Sequence, residues 1–136
     1  MIEKEKVQAI LDKYIHLLKL DNWTIKFEIV SEEFLTEFGT IDKPVLGVTA
    51  TDIFKFEVVI YLNKDADKIS DFNLEEIIVS HLLFILFAPL KILYSVSLDD
   101  LQYIGLDFNI YSYRKEIYEQ IMTNLIQNLS KIITGK

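Results

Sequence analysis

The sequence predicts an α+β fold with an N-terminal helix, a small, twisted and mostly antiparallel sheet, a central buried helix and a long C-terminal helix. Three observations support this prediction. Apolar residues recur at helical spacing near both ends of the chain. Between these ends, two stretches alternate apolar and polar residues with the period of a β-strand. The run 77–90 is apolar on nearly all sides, which is typical of a helix at the centre of a domain. At 136 residues, the chain is expected to form one domain, 1–136.

The first half of the chain is predicted to contain one long helix and three strands. The helix covers residues 3–19 and has one apolar face, made of Val7, Ile10, Leu11, Tyr14, Leu17 and Leu18. A strand is predicted over 23–30, because every second residue from Trp23 onwards is apolar. A short strand at 48–52 and another at 54–62 follow, and the latter has the clearest alternation in the chain.

The second half is predicted to be largely helical. Asn73 is a suitable N-cap for the central helix, which is predicted to end at Pro89 because proline removes a helix hydrogen bond. Residues 91–109 have no clear period and are left unassigned. A last helix is predicted over 110–133. Its inward stripe is predicted to comprise Ile117, Ile121, Leu125, Leu129 and Ile132 or Ile133.

Composition excludes several classes of function. The chain has no cysteine, so disulfides, thiolate nucleophiles and cysteine-ligated metals are ruled out. Its net charge is −7 and Arg114 is its only arginine, so direct nucleic-acid binding is not expected. The longest apolar run, 77–90, is shorter than the roughly 20 residues that span a bilayer. With a charged start in place of an apolar leader, the chain is expected to be soluble and cytoplasmic, without membrane association.

Two groups of residues are candidates for a contact surface. The segment 28–42 contains acidic residues and no basic ones, which indicates either an acidic binding surface or an ordinary solvated face. The acidic candidates are Glu32, Glu33 and Glu37. Tyrosines in the second half are of a type enriched at interfaces, with a place in the core as the alternative. The aromatic candidates are Tyr94, Tyr103 and Tyr111.

Three stretches of the sequence match a pattern known from one enzyme family. Residues 21–25, D-N-W-T-I, match a strand that opens with D-W-x-I, and residues 59–63, V-I-Y-L-N, match the strand before an active site. Residues 74–90, L-E-E-I-I-V-S-H-L-L-F-I-L-F-A-P-L, match L-E-E-x-I-V-H-E-L-L-H-x-L-x-A-P-L. The chain thus resembles the small zincin-like metallopeptidase domains that bacteriophages and other mobile elements often encode. This resemblance implies a zincin-like minimal domain.

In that family, the two histidines of H-E-x-x-H bind zinc from one face of a helix, and the glutamate activates the metal-bound water. Aligned on Val79 and Ala88, these three positions are occupied here by Ser80, His81 and Phe84. Serine is a poor zinc ligand, phenylalanine is none, and a neutral imidazole cannot replace the carboxylate. The resemblance therefore implies a pseudo-metallopeptidase with no catalytic residues, no metal and no other cofactor.

An unorthodox metal site is the enzymatic alternative. It would combine His81 and His16, the only two histidines, with carboxylates. The family's third ligand corresponds loosely to Glu116 or Glu119 in the last helix. The simpler interpretation is that His81 is a neutral core or edge residue, with Ser80 bonded back to its own helix.

These observations predict a non-catalytic interaction protein on a degenerate zincin-like scaffold. An edge strand, at 48–52 or 54–62, would bind an extended peptide by β-augmentation. The resemblance implies a phage or mobile-element origin and a host protein as the partner, including a defence nuclease inhibited by the acidic surface. The alternatives are the metal-dependent peptidase and a structural homo-oligomer, which the apolar content of 51% would also suit.

Overall fold

In the computed structural model, residues 1–38, 45–103 and 108–135 are described, with side chains at 1–37, 45–90 and 115–135. Within these ranges the chain folds as a mixture of helices and strands, which confirms the α+β class. The elements are α1 (Lys4–Leu17), β1 (Thr24–Val30), α2 (Glu32–Leu35), a 3-10 turn (Thr36–Phe38), β2 (Gly47–Asp52), β3 (Glu57–Asn63), α3 (Ala66–Ile69), α4 (Leu74–Tyr103) and α5 (Phe108–Thr134).

The three strands form one sheet in the order β1-β3-β2, so β3 lies in the centre. β3 pairs in parallel with β1 and antiparallel with β2. The sheet is therefore mixed, where the sequence predicted a mostly antiparallel one. Alternation of apolar residues marks a half-buried strand in either direction, so it cannot report the direction of pairing.

One face of the sheet is buried. Val58, Ile60 and Leu62 of β3 are at most 2% exposed and belong to the core cluster. The strand predicted at 54–62 begins only at Glu57, because residues 53–56 form the turn between β2 and β3. Phenylalanines at 54 and 56 fit the strand period in the sequence, although both are exposed in the turn.

Helix α4 is the central element of the core, as predicted. Asn73 caps it: the backbone N–H of Glu76 donates to Asn73 Oδ1 at 2.9 Å, and Asn73 Nδ2 donates to Glu76 Oε1 at 3.0 Å. The helix contacts α1, β2, α3 and α5. Its residues in the core cluster are Ile77, Ile78, Val79, Leu82, Leu83 and Ile85.

Helix α4 continues through Pro89 to Tyr103, so the predicted end at Pro89 is wrong. A proline inside a helix removes one hydrogen bond and costs about 3 kcal/mol, yet α4 is helical on both sides of Pro89. Residues 91–103, unassigned from the sequence, are helical. Even so, no helix within the described ranges has the length and hydropathy needed to cross a membrane.

Helix α5 confirms the predicted C-terminal helix and part of its inward stripe, because Leu129 and Ile133 pack against the core cluster. Ile121, Leu125 and Ile132 of the predicted stripe are 57%, 41% and 74% exposed. The fully buried positions are instead Ile126 and Ser130, at 1% and 2% exposed. Apolar residues occur on both faces of this helix, so a rotation of one position, about 100°, is not visible in the sequence.

Candidate functional site

The three residues aligned with the zinc-binding motif line one open cavity of about 200 Å³. Its walls come from α4, from the start of β2 and from α5. Ser80 and Phe84 are one helical turn apart and both face the cavity, as their alignment with two ligands on one helix face requires. Other lining residues include Gly47, Phe72, Ile77 and Ile126.

His81 joins helix α4 to strand β2. Its Nδ1 lies 2.8 Å from Thr49 Oγ1, within hydrogen-bonding distance, and only 9% of the residue is exposed. Burial disfavours the charged imidazolium and lowers the pKa of His81 from its usual 6.5 to about 4. The side chain is therefore neutral near pH 7, which agrees with the simpler of the two interpretations of this residue.

Gly47 is fixed by its contact with His81. A β-carbon at this position would lie 2.6 Å from His81 Nε2 and 2.9 Å from the backbone oxygen of Tyr61. Both distances are shorter than van der Waals contact allows, so a larger residue would push the strand and the imidazole apart. Glycine at the start of β2 thus permits the close approach of helix and strand.

Ser80 makes the bond predicted for it and shares its acceptor with α5. Ser80 Oγ donates to the backbone oxygen of Glu76 at 2.8 Å, one turn earlier in α4. Ser130 Oγ, on the buried face of α5, donates to the same oxygen at 2.8 Å. This single carbonyl therefore connects the motif position Ser80 with the packing of α4 against α5.

Phe84 occupies the position of the second zinc ligand and is 41% exposed. Its ring centroid is 6.5 Å from that of His81. A second open cavity, of about 250 Å³, lies between α4 and α5 and is also lined by Phe84, together with Phe87 and Met122. We call the two cavities together the α4–α5 groove, because Phe84, Thr123 and Ile126 line both of them.

The carboxylates considered as a third ligand do not line the first cavity. Glu119 lines the second one, while Glu116 is exposed and lines neither. The α5 residues that face the motif positions include Thr123 and Gln127. His16 lies near Asp21, with 3.4 Å between His16 Nδ1 and Asp21 Oδ1. Among the described side chains, no three His, Asp or Glu residues form a group that could hold a metal ion.

The acidic candidates lie at one end of the sheet. They are exposed in α2 and the 3-10 turn, directly after the end of β1. Phe34 fixes this segment against the sheet, since its ring is 5.2 Å from that of Tyr61. Tyr94 and Tyr103 belong to α4 and Tyr111 to α5, but the side chains of these three lie outside the described residues.

Strand β2 borders the cavity and forms an edge of the sheet. β3 is paired on both sides, so the 54–62 segment cannot accept another strand. β2 pairs only with β3 among the described strands, which leaves its outer edge available for pairing. Of the two edge strands predicted from the sequence, only the one at 48–52 is therefore at an edge.

Sequence reasoning missed three residues that shape the site: Gly47, Thr49 and Ser130. Thr49 and Ser130 contact α4 from distant parts of the chain, so no local pattern marks them. Gly47 had a usable signal, because a glycine that begins a strand often marks a close approach of backbone and neighbour.

Comparison with known proteins gave no match: no family model, no curated protein and no solved structure matches this chain. The likeness to zincin-like domains therefore rests on the sequence motifs alone.

Proposed function

We propose that this chain is a non-catalytic protein-binding module on a degenerate zincin-like scaffold. One observation carries the proposal. Strand β2, whose outer edge pairs with no other described strand, begins at Gly47 in the wall of the cavity that Ser80, His81 and Phe84 line. The residues at those positions support binding over catalysis. His81 is buried and neutral, the Ser80 hydroxyl is bonded to a carbonyl, and Phe84 presents a ring to the groove.

An extended segment of the partner would pair with β2 through its backbone. Side chains of an added strand alternate between the two faces of the sheet, so every second one points towards the side on which α4 packs. One apolar side chain would then enter the cavity beside Phe84 and Gly47. Backbone pairing of this kind provides affinity, and the cavity provides selectivity for the side chain.

The resemblance to phage-borne domains supports a cytoplasmic host protein as the partner. In its most specific form, the proposal is inhibition of a defence nuclease, whose basic nucleic-acid surface would attract an acidic protein of net charge −7. Glu32, Glu33 and Glu37, all exposed, are the residues proposed to make these electrostatic contacts.

The peptide-binding proposal is tested by selecting random linear peptides on the purified protein and measuring their affinity by calorimetry. Phe84→Asp should weaken the selected peptides about tenfold or more, because it places a charge in the groove. Leu86→Asp is the matched control, since Leu86 is on the same helix, is also 41% exposed and lines neither cavity. Equal effects of the two substitutions would argue against the groove.

The acidic-surface proposal is tested separately with a triple charge reversal, Glu32→Lys, Glu33→Lys and Glu37→Lys. Binding to the purified host partner should weaken, and the loss should shrink as salt is raised. Reversal of Glu3, Glu5 and Asp12, three exposed acids of the N-terminal segment, changes the net charge equally and serves as the control. An unchanged affinity in the first variant contradicts this form of the proposal.

The alternatives make different predictions. A metal-dependent peptidase would copurify with stoichiometric zinc and lose a cleavage activity on chelation. A structural homo-oligomer would scatter light as a multimer at micromolar concentration. Restoring the motif with Ser80→His, His81→Glu and Phe84→His tests the alignment itself, and we expect zinc affinity to appear. A folded triple variant without zinc affinity would contradict the zincin-like alignment.

A further inference from the structure

The turn between β2 and β3 displays a phenylalanine almost completely to solvent. Phe54 is 93% exposed, the highest value among the exposed large apolar residues of the described chain. Phe56, two residues later, is 45% exposed, and Ile53 and Trp23 beside it are half-buried. We call these four residues the aromatic tip. Single exposed apolar residues are common, but several apolar residues together at an exposed turn are typical of an interaction site.

Hydrogen bonds restrict the backbone of the turn that carries the aromatic tip. Asp52 Oδ1 accepts the backbone N–H groups of Phe54 at 3.1 Å and Lys55 at 3.3 Å. The backbone oxygen of Phe56 accepts the N–H of Thr24 at 2.8 Å, which fastens the turn to β1. These bonds restrict the turn, so Phe54 is presented without a large loss of entropy on binding.

Phe56 has a backbone conformation that is unfavourable for its side chain. Its φ of 53° lies in the left-handed region, which bulky residues rarely adopt. The ring is stabilised there by an edge-to-face contact with Trp23, with centroids 5.2 Å apart. Strained residues of this kind persist where the surroundings impose them and are concentrated at functional sites.

Each of the two strands that carry the tip has an acidic residue next to the turn. Asp52 and Glu57 are directly opposite each other in the β2–β3 register. Like charges opposite each other are unfavourable in a sheet. Asp52 has a structural role in the turn, but no such role accounts for Glu57 among the contacts of the described residues. Lys55 is the only base in the turn, and the whole chain carries −7. A surface that receives the tip should therefore be apolar at its centre and basic at its rim.

From these observations we infer that the aromatic tip is an anchor, which inserts Phe54 into an apolar socket with a basic rim on a partner protein. Large aromatic side chains buried in such sockets commonly dominate the binding energy of an interface. An anionic membrane is disfavoured as the occupant, because Asp52 and Glu57 would face its negative surface.

The anchor is a surface separate from the groove of the proposed function. Gly47, which lines the groove, begins β2, whereas Phe54 follows its other end, roughly 20 Å further along at strand spacing. The acidic helix α2 follows Val30, at the end of β1 remote from the tip. Substitutions at the tip therefore test the anchor without touching the residues on which the proposed function rests.

Photo-crosslinking in the cells that naturally express the protein tests the anchor directly. Phe54 is replaced by p-benzoylphenylalanine, which keeps an aromatic ring and reacts with what it contacts. Ile132, 74% exposed on α5, carries the same replacement as the control. We expect one protein adduct that forms from position 54 and not from position 132. No adduct, an adduct with lipid, or an adduct at twice the chain mass of 15.9 kDa would overturn the inference.

The adduct is then confirmed with the purified partner and the unmodified chain. Phe54→Ser should weaken binding about tenfold or more, as expected of an aromatic anchor, while Leu17→Ser, at an exposed position of α1, should leave it unchanged. Glu57→Gln should weaken binding at about 0.1 M salt and have less effect at about 0.5 M. Equal affinity of Phe54→Ser and the parent chain overturns the anchor. If Phe84→Asp weakens binding and Phe54→Ser does not, the proposed function is retained and the anchor is rejected.

Discussion

The two ends of the β2–β3 hairpin differ in which kind of side chain is buried and which is exposed. At the Gly47 end, the polar Thr49 of β2 is bonded to His81 of α4, and the imidazole is buried against the strand. At the turn, the apolar Phe54 is exposed while Asp52 is used to fix the backbone. One end of the hairpin therefore covers an imidazole of α4, while the other end exposes a phenyl ring of its own, the reverse of what hydropathy favours.

The residues at the Gly47 end serve the packing of the protein, whereas those at the turn are available for recognition. At the Gly47 end, the unusual residue is explained by packing: glycine allows the imidazole to approach and threonine satisfies its nitrogen. At the turn, no packing within the described residues accounts for the exposure of Phe54. Substitutions at the packed end should thus change stability, and those at the turn should change binding.

The largest expected effect is on the pH dependence of stability. The pKa of His81 is about 4 in the folded chain and near 6.5 in the unfolded chain. Above pH 6.5 the imidazole is neutral in both, so it does not reduce the free energy of unfolding there. As the pH falls towards 4, His81 becomes protonated in the unfolded chain but stays largely neutral in the folded chain. The free energy of unfolding should then decrease by about 3 kcal/mol through this residue.

Urea unfolding across this pH range measures the effect, with His81→Gln as the comparison because glutamine does not titrate. The variant should lose the part of the pH dependence that His81 contributes. A pH profile identical to that of the parent chain would show that His81 is not protected from protons.

Gly47→Ala should be the next most destabilising change. The new methyl group would lie 2.6 Å from His81 Nε2, and overpacking of this kind costs about 1 to 3 kcal/mol. A double-mutant cycle with His81→Ala measures how much of this cost comes from the imidazole. We expect the substitution at 47 to cost less in the His81→Ala background. Additive costs would assign the strain to the Tyr61 carbonyl alone.

Asp52→Ala should have a smaller effect, confined to the turn. It removes the acceptor of two backbone N–H groups, which water can partly replace. We therefore expect the free energy of unfolding to fall by about 1 kcal/mol, with faster amide exchange at Phe54 and Lys55. Asp52→Asn keeps the side-chain oxygen and should retain most of the protection. Hydrogen exchange by NMR distinguishes the three proteins, and equal protection in all of them would show that the carboxylate does not fix the turn.

Phe54→Ser should have the smallest effect on stability, within about 0.5 kcal/mol, because the side chain is 93% exposed. Thermal unfolding of the variant and of the parent chain measures it. A clear decrease in Tm would mean that Phe54 packs on the protein and that the hairpin does not have two different ends.

The sequence predicted most elements because their patterns are local. The helix at 3–19, the strand at 23–30 and the cap at Asn73 follow from apolar spacing and capping chemistry, and the structure has them as α1, β1 and the start of α4. What depends on distant contacts was not predicted. Nothing within either strand marks the parallel pairing of β1 with β3. The inward face of α5 depends on which of its two apolar stripes packs against α4.

The candidate site was predicted in part for the same reason. The spacing of Ser80 and Phe84 placed both on one helix face, and both line one cavity. The role of His81 depends on Thr49 and Gly47, which the chain brings to it only on folding. The exposed tip was assigned to a strand because Phe54 and Phe56 continue the alternation of β3. The turn signal was Asp52, whose side chain can bond to the backbone two residues later.

The mixed pairing of the sheet has a consequence for the order of folding. β2 and β3 are joined by a short turn, so their hairpin can close on the microsecond timescale, whereas β1 must find β3 from far away in the sequence. We expect the hairpin to be formed in the folding transition state and β1 to dock afterwards. Destabilising substitutions in the hairpin should therefore slow refolding, and those in β1 should mainly accelerate unfolding. The exposed turn would then form early, whereas the packed end would be complete only once α4 brings His81 to Thr49.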